Sequence, residues 1–199
     1  MQTGTQMAPA TVRYVIDPTA SRFVVQAFAT GLFSAFGHNP KIGICDYEGE
    51  IQFVPETYES ASVRMAVRTG AMEVLDEMKS DDRKKLEQTM YGEVLEVQRF
   101  PTAAYDSKQI TVQKLSDDLL VAHVSGELSF HGAAQTHSFD ARVTRVGTML
   151  RISGEFPLRQ SDYGIKPVSF AGGALRLKDE LKLSFELMAG MKEETGANA

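Results

Sequence analysis

The residues best suited to chemistry in this chain are four histidines, His38, His123, His131 and His137, and a single cysteine, Cys45. Zinc sites draw three or four His, Cys or carboxylate ligands from characteristic spacings. No such spacing occurs, and there is no second cysteine. His131 and His137 bracket Gly132 to Thr136 and could meet across a hairpin, but two ligands make a weak site. His123 alternates with Val121 and Ser125, so it reads as a strand histidine on a polar face. The carboxylates are scattered, and no pair stands out as general acid and base. Nucleophile-elbow, phosphate-loop and dinucleotide motifs are absent. The expectation is therefore no catalytic residue, no metal and no cofactor.

Two loops carry the remaining signal. Gly31-Leu32-Phe33-Ser34-Ala35-Phe36-Gly37-His38-Asn39-Pro40-Lys41 is punctuated by glycine yet holds three large apolar side chains. Leu32, Phe33 and Phe36 either plug the end of a core or line the mouth of an apolar cavity. In the second case His38, Asn39 and Lys41 would offer hydrogen bonds or charge to a polar head. Arg159-Gln160-Ser161-Asp162-Tyr163-Gly164-Ile165-Lys166 mixes both signs of charge. Arg159 could pair with Asp162 to fix the loop, or Arg159 and Lys166 could face an anion.

Strands must position these loops, because period-two alternation dominates the chain. Ala61, Val63, Met65 and Val67 point one way, and Ser62, Arg64 and Arg68 the other. Thr11–Asp17 and Ser21–Thr30 read as strands separated by an Asp17-Pro18-Thr19-Ala20 turn. Lys41–Val54 reads as one bent strand or two. Thr102–Lys114, Asp118–Phe130, Ser138–Val146, Met149–Leu158 and Leu175–Met188 complete roughly eight to ten strands. Gly147-Thr148 reads as a hairpin turn, where glycine supplies a positive φ. A helical segment is expected near residues 78–98, with Ser80 as N-cap, an Asp81–Lys85 pair, an interruption at Gly92 and a second short helix over Glu93–Gln98. Its charge run reads as a solvated connection, the other reading being a flap over one end of the fold.

Several strands are apolar at both parities. Phe23, Val25 and Ala27 alternate with Val24 and Phe28, and Leu120, Val124 and Leu128 alternate with Leu119 and Val121. Such strands need cover on both faces. A barrel of eight strands is wide enough either to be packed by its own side chains or to hold one small ligand. Alternation alone leaves those two readings open.

The length of 199 residues suits a single all-β domain, with a barrel over about 12–189 and polar tails at 1–10 and 192–199. A net charge of -5 argues against a nucleic-acid footprint. No apolar run reaches the length of a membrane span. Met1–Ala10 lacks the pattern of a secretory signal, so a cytoplasmic location is expected; an exported protein whose leader had been removed would look the same.

Order and spacing of short motifs add a resemblance. Tyr14-Val15-Ile16-Asp17-Pro18 precedes Ser21-Arg22-Phe23, and Glu48-Gly49-Glu50-Ile51-Gln52-Phe53 follows. Then come Arg99-Phe100-Pro101-Thr102-Ala103-Ala104-Tyr105-Asp106-Ser107, Gly126-Glu127-Leu128-Ser129-Phe130-His131-Gly132, and Arg159 to Ile165 with one extra residue between Arg and Asp. From about Tyr14 to Ala189 the chain resembles the YceI-like family of lipocalin-like, polyisoprenoid-binding barrels. The resemblance implies an all-β, extended antiparallel barrel of roughly eight strands. It also implies an interior that holds a polyisoprenoid or similar amphiphilic lipid for transport or storage, without catalysis, in a protein that can form homodimers. Phe23, Val25, Phe28, Leu32, Phe33, Phe36, His38, Asn39, Arg159, Asp162 and Tyr163 are the expected ligand-binding residues. A packed dimeric interaction module and a barrel enzyme acting on an apolar substrate are the competing readings.

Overall fold

The alternating segments pair as long antiparallel strands in a computed structural model, which describes residues 11–30, 39–170 and 175–192. In chain order these are β1 (Val12–Gln26), β2 (Ala29–Thr30), β3 (Lys41–Ile44), β4 (Tyr47–Phe53), β5 (Ser62–Arg68), β6 (Met72–Val74), β7 (Thr102–Lys114), β8 (Leu119–Phe130), β9 (Ala133–Val146), β10 (Met149–Arg159), β11 (Ser169–Phe170), β12 (Leu175–Leu177) and β13 (Glu180–Lys192). Helix α1 spans Ser80–Thr89 and runs into one π turn, Met90–Val94.

Eight of the strands close an antiparallel barrel in the order β1, β4, β5, β7, β8, β9, β10, β13, with β13 pairing back to β1. Closure removes the unpaired edges that an open sheet would present. β3 and β4 lie on the same side of β1, interrupted at Cys45-Asp46, so Lys41–Val54 is two segments of one bent path. β6 extends this layer beside β3. The short β2, β11 and β12 form a separate small sheet in the order β11-β12-β2.

The expected turn at Asp17–Ala20 is instead a bulge inside one continuous strand. Asp17 pairs with Met188 and Arg22 with Glu186, so four residues of β1 stand opposite one of β13. Local hydrogen bonds hold it: Thr19 donates to the Asp17 carboxylate from both N–H and hydroxyl. Those bonds hold the Asp17 carboxyl below its ordinary pKa. The Ser21 hydroxyl donates to the Asp17 carbonyl and accepts the Met188 N–H. Side chains thus replace ladder bonds that the bulge interrupts.

Register assigns the connections to two ends. Residues 54–61, the β7–β8 turn and the Gly147-Thr148 turn lie at one, here the turn end. Residues 27–30 and 39–40, the helical region, and residues 160–170 and 175–179 lie at the other, the loop end. Gly147 takes φ 62 as expected. The β8–β9 connection is only His131-Gly132, with φ 49 and 79, so β9 begins at Ala133 and not at Ser138.

The helical region departs from the sequence reading in three ways. Lys79, not Ser80, is the N-cap, and no side chain caps it. Gly92 sits within the π turn, and Glu93–Gln98 forms no second helix. Asp81 and Lys85 form no ion pair among the described residues. Arg83 anchors the helix to the end of β6 by donating to the carbonyls of Val74 and Asp76, and the Tyr91 hydroxyl donates to the carbonyl of Met72.

Candidate functional site

The inward rows of the barrel enclose a cavity of about 320 Å³. Small-molecule sites commonly occupy roughly 300–1,000 Å³, so this space suits a ligand. Ala61, Val63, Met65 and Val67 all line it, while Arg64 and Arg68 point outward and pair with Asp106 and Asp46. Leu120, Val124 and Leu128 line it too, and Leu119 and Val121 do not. Strand alternation therefore sorts residues into lumen and exterior as the pleat requires.

A belt of small residues crosses three strands, and the Phe185 ring packs over its Gly154. Ala122 of β8 stands beside Ala141 of β9, which stands beside Gly154 of β10. Aromatic rings pack next to this belt: Phe139 stacks on Phe156 at 5.0 Å and meets Phe185 edge-on at 5.7 Å. Phe23 meets Phe185 and Tyr47 in the same edge-on manner. At the loop end Leu86 and Met90 of the helical region, with Val94 and Leu95, also border the cavity. The charge run is thus only the outer face of an element whose inner residues Leu86, Met90, Val94 and Leu95 border the cavity. The solvated-connection reading is corrected on this point.

Polar lining is confined to the ends, apart from Tyr105. At the turn end Asp117, Asp118 and Arg145 border the cavity with Tyr58. Asp117 pairs there with Lys114 at 2.8 Å. At the loop end the polar lining is Thr89 and Gln160.

The expected site residues fall into five groups. Phe23 and Val25 line the cavity. Phe28 and Asn39 stand at the loop end outside the lining, where the Asn39 side-chain oxygen accepts the Ala29 N–H at 2.9 Å and the Phe28 carbonyl accepts the Lys178 N–H. Arg159 and Asp162 are exposed at the same end and do not border the cavity. They form no ion pair with each other among the described residues. Leu32, Phe33, Phe36 and His38 lie outside the described residues. Tyr163 is 1% exposed and forms part of the wall.

That wall has a seam. The β9–β10 ladder runs from Val146–Met149 to Ala141–Gly154 and stops. Beyond it, a 3-10 turn at Gln160–Tyr163 folds back against β9. The Gln135 side chain donates to the Asp162 carbonyl at 3.0 Å, and His131 Nδ1–H donates to the Tyr163 carbonyl at 3.0 Å. The Tyr163 hydroxyl shares a 2.8 Å hydrogen bond with His137 Nε2, and the two rings stack. Tyr163 thus engages one ring nitrogen of each histidine, while His131 Nε2 is buried without a hydrogen-bond partner, and no cluster of three metal-binding groups occurs among the described residues. His123 pairs with Asp140 across the outer face at 2.8 Å, as a satisfied strand histidine.

Burial shapes the titration of this seam. It pushes the Tyr163 hydroxyl up to about 12 and, against the nearby Asp162 charge, holds the His137 imidazole below its ordinary 6.5. The folded chain then binds fewer protons than the unfolded chain once pH drops below that value. The contribution of neutral His137 is complete above pH 6.5 and is lost progressively below it. Urea midpoints compared at about pH 7 and about pH 5 should show an acid-side loss that His137→Gln reduces. An equal loss in the variant would remove His137 as the cause.

Fold and cavity together define a lipocalin-like antiparallel barrel with an apolar lumen. The YceI-like domain model matches residues 14–189, and the chain belongs to the YceI-like family. No curated protein sequence matches it. Among solved structures it is similar to BcnA of Burkholderia cenocepacia, with 16% identity, a TM-score of 0.68, and 87% of this chain and 98% of that one covered. It is also similar to a polyisoprenoid binding domain from Saccharophagus degradans implicated in plant cell wall breakdown, at 13% identity and TM-score 0.66, covering 93% and 100%. A Campylobacter jejuni YCEI protein matches at 18% identity and TM-score 0.60, covering 79% and 88%. At these identities the likeness concerns the fold. Among the described residues no helix is long and apolar enough to cross a membrane.

Sequence reading missed the wall roles of His131 and His137 and the inward position of Gln160. Parity along β10, with Leu150, Ile152, Phe156 and Leu158 inward, stops at Arg159, so it pointed toward Gln160 without fixing its face. The seam had no sequence signal, because it depends on where a ladder stops.

Proposed function

We propose that this protein binds a long isoprenoid-like lipid in the barrel interior, to carry or store it without transforming it. The observation that carries this reading is the apolar cavity spanning the barrel between two polar ends. The Saccharophagus degradans domain of the same fold, described as polyisoprenoid binding, supports it. Each buried methylene contributes about 0.8 kcal/mol, offset in part by ordering a flexible chain. Phe23 and Val25 contact the lipid chain in this proposal. Phe28, Asn39, Arg159 and Asp162 surround the mouth at the loop end, and Tyr163 holds the wall behind them. The packed-module reading is disfavoured, because the inward rows leave an apolar cavity of about 320 Å³ that a solid core would fill.

Ala122→Phe tests the proposal. Its side chain would enter the cavity at the belt, where Val112 and Ala141 are the cross-strand neighbours. Lipid extracted from the purified protein and quantified by mass spectrometry is expected to fall at least about tenfold, the equivalent of roughly 1.4 kcal/mol. The far-ultraviolet circular dichroism should stay that of a barrel. Undiminished lipid in a folded variant, or none in the parent protein after exposure to prenols, would sink the proposal.

A further inference from the structure

Just past β10, Gln160 borders the cavity as a polar residue after the inward Leu150, Ile152, Phe156 and Leu158 of the strand. The neighbouring inward rows at this end are apolar: Val25 and Ala27 of the first strand path, Leu128 and Phe130 of β8, Leu181 and Leu183 of β13. A buried amide in such a setting must be hydrogen-bonded. Half of it is. Its Nε2 donates to the carbonyl of Lys178 at 2.9 Å and to that of Asp179 at 3.5 Å. Both acceptors are backbone carbonyls, so the nitrogen must face them and the oxygen must face the other way. The residue is 4% exposed and borders the cavity; its side-chain hydrogen bonds all use Nε2, and Oε1 is not sealed from solvent.

The backbone holds this orientation. The Gln160 N–H donates to the Asp179 carbonyl at 3.0 Å, and its carbonyl accepts the Ile165 N–H at 3.1 Å. The Asp179 carboxylate is occupied by Ser161, at 2.6 Å from its hydroxyl and 2.8 Å from its N–H. With Nε2 held on those carbonyls, Gln160 and Thr89 are the polar residues that border the lumen at this end among the described residues. The cation that borders the cavity among the described residues, Arg145, is at the opposite end.

We infer that Gln160 is a specificity-determining residue whose side-chain carbonyl accepts a hydrogen bond from a hydroxyl at the polar end of the bound lipid. The inference rests on the lipid-binding reading and narrows its ligand class. An alcohol satisfies Oε1 and carries no charge into the apolar lumen. A fully ionised phosphate or carboxylate is only an acceptor. It would leave Oε1 unsatisfied and place a desolvated charge beside another acceptor.

The test uses the full chain and three probes that share one hydrocarbon: geranylgeraniol, its methyl ether and its monophosphate, each competing against a fluorescent lipid. The alcohol should compete about three- to tenfold better than the ether, the effect of one net hydrogen bond, and the phosphate should be weakest. Gln160→Met should make alcohol and ether equal. Alcohol and ether bound equally well by the parent protein would overturn the assignment of Gln160 and leave lipid binding standing; phosphate bound best would do the same. No competition by any probe would overturn both readings together. The comparison within the parent protein decides the matter even where Gln160→Met does not fold.

Discussion

Tyr163→Ala is expected to lower stability by about 3–5 kcal/mol, the range for removing a large aromatic side chain from a packed interior. The seam explains why the cost sits at the upper end of what single changes do. Tyr163 packs with Leu158, Ile165 and Leu183 where β9 and β10 no longer pair, and its ring contacts Phe130 at 5.4 Å. No ladder can re-form to close the gap, because β10 turns away at Arg159. Truncation also leaves His137 Nε2 without its partner in a largely apolar corner. Tyr163→Phe keeps the ring and loses only the hydroxyl, so about 1 kcal/mol is expected. Urea unfolding of the three proteins at neutral pH measures both differences. Equal stability of the Ala and Phe variants would show that the ring does not seal the wall.

The second large effect is expected from Gly126→Ala. β7 carries an irregularity at Lys108, so Ser107 pairs with Gly126 and Gln109 with Ser125. This brings β7 down onto β8. A Cβ on residue 126 would lie 2.5 Å from the Asp106 carbonyl oxygen, 2.7 Å from Ser107 Cα and 2.7 Å from the Tyr105 ring. Two of these atoms are backbone and cannot swing aside. Retreat of β7 would also pull on β5, since the Ser107 hydroxyl accepts the Val63 N–H at 2.9 Å. Tyr105 cannot readily give either, being buried in its own cluster with Ala122 and Val124. Overpacking of this kind costs about 1–3 kcal/mol. In a chain of this size it should lower the melting temperature by about 2–4 °C per kcal/mol. Gly190→Ala is the control, because a Cβ there meets nothing within 4 Å. Equal melting temperatures for the two variants would show that the approach at Gly126 relaxes without cost.

Residue types and their alternation determined the barrel. Val63, Met65 and Val67 against Arg64 and Arg68, or Leu120, Val124 and Leu128 against Leu119 and Val121, already separate lumen from exterior, because side chains in a strand must alternate. Motif order from Tyr14 to Ala189 pointed to the family that the domain match then gave over residues 14–189. Elements whose identity depends on partners were less legible. Asp17-Pro18-Thr19-Ala20 has turn chemistry, yet β13 runs past it and converts the turn into a bulge. The charged face of Ser80–Thr89 hid an inner face that only the barrel end reveals. His131 and His137 read as a weak metal pair because nothing local shows that Tyr163 folds back between them.

The same division holds for the candidate site. Alternation required strands with two apolar faces, and it left open whether the inner faces meet each other or enclose a space. Packing decided that: the inward rows of the eight strands leave an apolar cavity of about 320 Å³ between them. Charge in Arg159 and Asp162 drew attention to the loop, but odd and even positions beyond a strand end have no fixed face until the next hydrogen bonds are known. Those bonds, from Gln160 to Lys178 and Asp179, turn the neutral residue inward and leave the charged ones in water.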